Sequence, residues 1–96
     1  MTKLLILSFH GSKRLPKIRE RLEALNLKFK IIYGVDASKK KNISLLKKNY
    51  NKKRAEYFLG RKMSYVEMTA PYVHTKAYKY IIKKKIKNCI ILEDDI

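Results

Sequence analysis

Three adjacent acids, Glu93-Asp94-Asp95, directly follow the apolar run Cys89-Ile90-Ile91-Leu92. Carboxylates are the hard oxygen ligands that Mg²⁺ and Mn²⁺ prefer, and substrate phosphates can fill the remaining coordination positions. In an open α/β sheet, ligands bind outside the carboxyl ends of the strands. A buried strand at 89–92 would deliver the acids to that edge. Residues 93 and 95 are two apart, so on an extended backbone they point the same way. Asp94 then faces the other side or caps a loop. The plain alternative is a polar strand end with no ligand. The cluster is isolated in charge: the chain carries 24 Lys+Arg and 8 Asp+Glu, and three of those eight acids form this triplet.

Other chemistry is thinly represented. Three isolated glycines (Gly11, Gly34, Gly60) make no phosphate-cradling loop, and no Cys/His spacing suits zinc. Ser, His and Asp without a nucleophile motif define no triad. The single Cys89 forms no internal disulfide, and its apolar neighbours predict a reduced, buried thiol in a cytoplasmic protein. No apolar run approaches the ~18 residues of a membrane span. The first ten residues lack the length and cleavage site of a signal peptide.

The elements that must position the acids can be read from periodicity. Residues 3–9 are a nearly continuous apolar run, as in a strand covered on both faces. Leu15, Ile18, Leu22 and Leu25 predict a helix over 13–25, with Pro16 in its first turn and Asn26 ending it. Residues 29–33 form a second strand, followed by a turn at Gly34-Val35-Asp36-Ala37. This β-α-β unit calls for parallel strands. Residues 43–58 read as a loose, strongly basic helix. Val66, Ala70, Val73, Ala77 and Ile81 form a stripe, and Thr69 with Pro71 places the main helix at 69–84, with Glu67 just before it or in an extra irregular turn. Residues 89–92 are the third strand. The order β-α-β-α-α-β defines one α/β domain with a parallel sheet. Ninety-six residues allow one small domain, and 46% apolar content is globular.

Several of these residues together resemble glycosyltransferase family 25, which includes lipopolysaccharide and lipooligosaccharide galactosyltransferases and the collagen galactosyltransferases. Ile91-Leu92-Glu93-Asp94-Asp95-Ile96 is similar to the family's I-L-E-D-D-[VI] signature. Glu67, His74 and Tyr78 keep the family's spacing of a Glu, a His and an aromatic. Leu4 to Leu7, Arg14, Phe29 and Gly34-Val35-Asp36-Ala37 resemble its N-terminal elements. The chain departs from the pattern at Thr69-Ala70, where Gly-Cys is usual, at Val73, where Ser is usual, and at Tyr78, where Trp is usual.

The resemblance implies a partial GT-A (Rossmann-like) nucleotide-sugar-binding fold and a UDP-sugar donor, with galactose the expected sugar. It also implies a lipopolysaccharide or lipooligosaccharide acceptor. Glu93 and Asp95 then stand in for the outer acids of a D-x-D motif and hold Mn²⁺ or Mg²⁺. Asp94 contacts sugar or ribose hydroxyls, Asp36 the ribose or uracil, and Arg14 the diphosphate, while Ser8 and Phe9 border the nucleotide. Glu67 and His74 support the site. Each has a rival role: Arg14 as a solvated helix residue, Asp36 in an Asx turn, Glu67 as a helix cap, and His74 as a structural histidine. Because the family's domain continues beyond the acidic motif, residues 1–96 are expected to be the N-terminal part of a truncated domain, incomplete for catalysis.

The net charge of +16 offers a different reading, a small basic module for nucleic acid or anionic lipid. Lysine supplies 19 of the 24 basic residues, whereas bidentate base and phosphate recognition favours Arg. With abundant Ile, Asn and Tyr, this is the bias of an AT-rich coding background. Nucleic acid is therefore not the expected partner. A positive surface suffices for peripheral contact with an anionic membrane face.

Overall fold

In a computed structural model the structure describes residues 2–48, 53–54, 57, 60–61 and 63–95. Strand β1 (Lys3–Ser8) lies at the centre of a three-stranded sheet. It is flanked by β2 (Lys30–Tyr33) and β3 (Cys89–Glu93) in the order β2-β1-β3. Both pairings are parallel, with Leu7 opposite Ile32 on one side and Glu93 on the other. The class expected from the sequence, α/β with a parallel sheet, is the one observed.

The continuous apolar run of β1 follows from its position. Leu5, Ile6, Leu7 and Ser8 are all buried because both faces are covered. On one face Ile6 packs with Ile18 and Leu22 of helix α1 (Leu15–Ala24). On the other, Leu5, Leu7 and Ile32 pack with Ala77 of the long helix, which spans Tyr65–Lys83. A short helix α2 (Ile43–Lys48) precedes it, and the long helix is therefore α3. Leu46 of α2 is 1% exposed, and Met68 of α3 is also buried. Of the helix expected over 43–58, residues 43–48, 53, 54 and 57 are helical, and 49–52, 55–56 and 58 lie outside the described residues.

Two expectations are corrected. The main helix begins at Tyr65, four residues before Thr69, because Ser64 and Glu67 form a capping box: the Ser64 hydroxyl accepts from Glu67 N at 3.2 Å and Ser64 N donates to Glu67 Oε1 at 3.0 Å. Thr69 is an interior residue whose hydroxyl donates to the Val66 carbonyl at 2.6 Å. Pro71 is likewise interior, and having no N–H it leaves the Glu67 carbonyl without its usual donor. The second correction concerns β3. The sheet order makes it an edge strand, and Ile90 is half exposed, so the last apolar run is not the buried strand its composition suggested.

The helix ends are built alike. Asn26 and Lys85 adopt left-handed backbone (φ 59 and 54), and Leu27 N and Ile86 N reach back to the Leu22 and Ile81 carbonyls. This six-to-one bond is the Schellman arrangement. The Lys84-Lys85 stop turns the chain into β3 and so sets where the acids arrive.

Candidate functional site

The carboxyl ends of β1 and β3 meet the turn after β2 around a cleft of about 160 Å³. Ser8, Phe9 and Arg14 line it from the β1 side, and Glu93, Asp94 and Asp95 from the β3 side. Gly34 and Val35 come from the turn after β2, and Thr69, Ala70 and Val73 from α3. A larger groove of about 320 Å³ runs between α2 and α3. Its described lining is apolar residues, Thr75, Lys76 and Lys79, with no carboxylate. The acids and Arg14 are in the smaller cleft.

Asp94 is the buried member of the acidic triplet, 8% exposed. Its Oδ2 accepts hydrogen bonds from Ser8 Oγ and Ser12 Oγ, each at 2.7 Å, and its Oδ1 lies 3.3 Å from Arg14 Nε. An ionised carboxylate this buried requires such donors. Strand β3 ends at Glu93, so Asp94 and Asp95 lie in a turn and the two-residue alternation of an extended chain does not extend to them. Glu93 and Asp95 are both exposed.

Glu93 has its own partner. His74 Nε2 lies 3.0 Å from Glu93 Oε1, and the carboxylate can only accept, so the imidazole donates. The other ring nitrogen, Nδ1, lies 3.5 Å from Tyr78 Oη. Thus His74 and Tyr78, one helical turn apart on α3, are brought beside Glu93 at the end of β3.

Glu67 and Asp36 stand apart from this group. Arg61 grips Glu67 with both terminal nitrogens, at 2.7 and 2.6 Å. That pairing and the Ser64 cap hold the Glu67 carboxyl at about 2, far below its ordinary value. Asp36 closes an Asx turn: Oδ1 accepts from Ser38 N at 2.9 Å and Ser38 Oγ at 2.7 Å, and these bonds lower its pKa. Neither acid lines the cleft. Among the described residues, no three His, Cys, Asp or Glu side chains gather closely enough to enclose a metal ion.

Ser12 escaped the sequence reading as a site residue, and Gly34 reads there only as part of a turn and a family element. Ser12 carried only the signal of a Gly-Ser turn. Gly34 is in the cleft because nothing larger fits: a Cβ there would stand 2.9 Å from Val73 Cβ. Gly34 N also donates to the Ser8 carbonyl at 2.7 Å, tying the ends of β1 and β2 together. No helix of the described chain is long and apolar enough to cross a membrane.

The fold is a parallel α/β sheet with acids and an Arg gathered at its carboxyl edge, where open α/β sheets commonly bind ligands. The family is given by the sequence as a whole: residues 1–96 match glycosyltransferase family 25 (LPS biosynthesis protein). The chain belongs to that family, and membership implies glycosyltransferase activity in lipopolysaccharide biosynthesis. No curated protein and no solved structure gives a match.

Proposed function

We propose that the cleft at the carboxyl edge is the nucleotide-sugar donor site of a metal-assisted transferase with a partial GT-A-like fold. The donor would be a UDP-sugar, UDP-galactose first among them, and the acceptor a lipooligosaccharide. The observation that carries this reading is the convergence of Ser8, Phe9 and Arg14 with Glu93 and Asp95 on one cleft in a family 25 chain.

Ser8 and Phe9 border the nucleotide, and the Arg14 guanidinium, always charged, draws the diphosphate. Glu93 and Asp95 offer two exposed carboxylates, while Asp94 between them is taken up by Ser8, Ser12 and Arg14. That set fits a cation that takes its remaining oxygens from a diphosphate and water, as Mg²⁺ and Mn²⁺ do. Such an ion, when bound, supplies Lewis-acid stabilisation to the UDP leaving group. His74 fixes one oxygen of Glu93, leaving the other for the ion. Asp36 is left out of this assignment, since its Oδ1 is engaged by Ser38 and it lies off the cleft. The +16 charge favours a peripheral position at the anionic inner face of the cytoplasmic membrane, where a phosphorylated glycolipid is presented.

Thermal unfolding with UDP and Mn²⁺ tests this. Both together should stabilise the chain, by about 2.7 kcal/mol at a hundredfold excess over Kd, and Asp95→Ala should abolish the effect. Equal stabilisation of Asp95→Ala, or salt-sensitive binding of any polyanion regardless of that substitution, would replace the donor site with a basic binding module.

A further inference from the structure

We propose that Ser12 is a positioning residue of this site: with Ser8 it orients the Asp94 carboxylate, and Asp94 in turn holds Arg14 at the cleft. The inference rests on the reading of the cleft as the donor site. It goes beyond that reading in assigning Asp94 to the protein's own scaffold, not to a sugar hydroxyl.

The contacts form a chain from the interior to the surface. Ser8, Ser12 and Asp94 are all more than nine-tenths buried. A serine hydroxyl has a single proton to donate, and both serines give theirs to Asp94 Oδ2 at 2.7 Å. With Oδ2 bound by two donors, the carboxylate plane is fixed and Oδ1 is directed at Arg14 Nε, 3.3 Å away. Arg14 is 59% exposed, and a long side chain at such exposure ordinarily samples many rotamers. The contact uses Nε, so the two terminal nitrogens remain outside it, on a side chain that lines the cleft.

The backbone is shaped to bring Ser12 back to this position. Gly11 takes a left-handed conformation (φ 87), which glycine adopts without a Cβ penalty. Ser12 N then donates to the Phe9 carbonyl at 3.1 Å, closing the turn between β1 and α1. The turn returns the Ser12 hydroxyl beneath Asp94 and starts α1 immediately beyond. Arg14 is the N-cap of α1 and makes no side-chain cap bond there. A guanidinium only donates and cannot cap the helix N–H groups, and the Arg14 side chain meets Asp94.

The test has two readouts on the 96-residue chain. The first is the Nε–Hε resonance of Arg14 by NMR, with its exchange rate; the second is UDP affinity in the presence of Mn²⁺ by calorimetry. Ser12→Ala should move the Arg14 resonance toward that of a free guanidinium, speed its exchange and weaken UDP about tenfold, the loss of roughly one charge-assisted hydrogen bond. Ser12→Thr keeps the hydroxyl and should restore both. An unchanged Arg14 resonance in a folded Ser12→Ala variant overturns the proposal. Should that variant not fold, the wild-type resonance decides: slow exchange supports the contact chain, and exchange as fast as free arginine overturns it. A wild-type chain with an ordered Arg14, lost in Ser12→Ala, that binds no UDP overturns the donor-site reading while supporting the role of Ser12.

Discussion

Asp94 and Asp36 follow the carboxyl ends of the two strands that flank β1, and each carboxylate is held through serine. Asp36 Oδ1 takes both donors from one residue two positions on, the N–H and hydroxyl of Ser38, in an exposed turn. Asp94 Oδ2 takes hydroxyls from residues 86 and 82 positions away, in the interior. The same acid–hydroxyl chemistry closes a local loop in one place and joins the beginning of the chain to its end in the other. Removal from water makes the second arrangement matter more, since a buried donor without an acceptor has no solvent to turn to. It also places the consequence of any change at Arg14 and the cleft.

The largest effect should come from Asp94→Ala. Two buried hydroxyls lose their acceptor and Arg14 loses its contact, a cost of about 3 kcal/mol, measurable by urea denaturation of the variant against wild type. A loss below about 1 kcal/mol, within the range of exposed pairs, would mean that water reaches the serines and that Asp94 differs little from Asp36.

Gly34→Ala probes what holds the β2 side, where packing stands in for a buried acid. The added Cβ would lie 2.9 Å from Val73 Cβ and 3.1 Å from Val73 Cγ2. Overpacking of this kind costs about 2 kcal/mol. Val73→Ala in the same chain should recover only part of it, because the Cβ contact remains. Full recovery would place the clash at Cγ2 alone, and no loss at all would show that α3 shifts freely against β2.

These two changes also mark what local sequence could and could not disclose. β1, α1 and β2 follow from apolar spacing, and Asp36 followed by Ser38 is a turn signal within three residues. The start of α3 was equally local, in Ser64-Tyr65-Val66-Glu67, but Pro71 drew the boundary inward, since a proline is usually found in a first turn. Ser12 had no such local signal. Its partner lies 82 residues on, and only the pairing of β3 beside β1 brings the two together. The edge position of β3 is hidden for the same reason: strand order is a property of the assembled sheet, and Ile90-Ile91-Leu92 reads the same at an edge or in the centre. The two-residue alternation of an extended strand and the family resemblance both set Asp94 apart from Glu93 and Asp95. Neither points to its burial on Ser8 and Ser12, which the turn at 94–95 produces.

Glu67 is a local acid like Asp36, with a stronger partner in Arg61. Its folded pKa of about 2 lies below the ordinary 4.5, so its contribution is fully present above pH 4.5 and fades as pH falls toward 2. Acid titrations of wild type and Glu67→Gln should converge across that window, because the substituted amide has no proton-linked contribution to lose. Parallel curves down to pH 2 would show that Arg61 is not paired with Glu67 in solution.

The smallest effect is expected from Asp36→Asn. The amide oxygen can still accept from Ser38 N and Oγ, and Asx turns admit either residue, so the turn should survive. The folded pKa of Asp36 is lowered by the same Ser38 bonds. Its contribution is therefore present above the unfolded pKa and lost as pH falls through the folded one. At neutral pH the substitution removes only a negative charge that water already screens. The melting temperature should consequently change less than in Asp94→Asn, which would be made alongside it as the matched substitution and which also removes the charge facing Arg14. A shift in Asp36→Asn as large as in Asp94→Asn would erase the contrast between the two turns. It would also strengthen Asp36 as a candidate for the nucleotide contact that the family resemblance implies, although Asp36 is not among the residues lining the cleft.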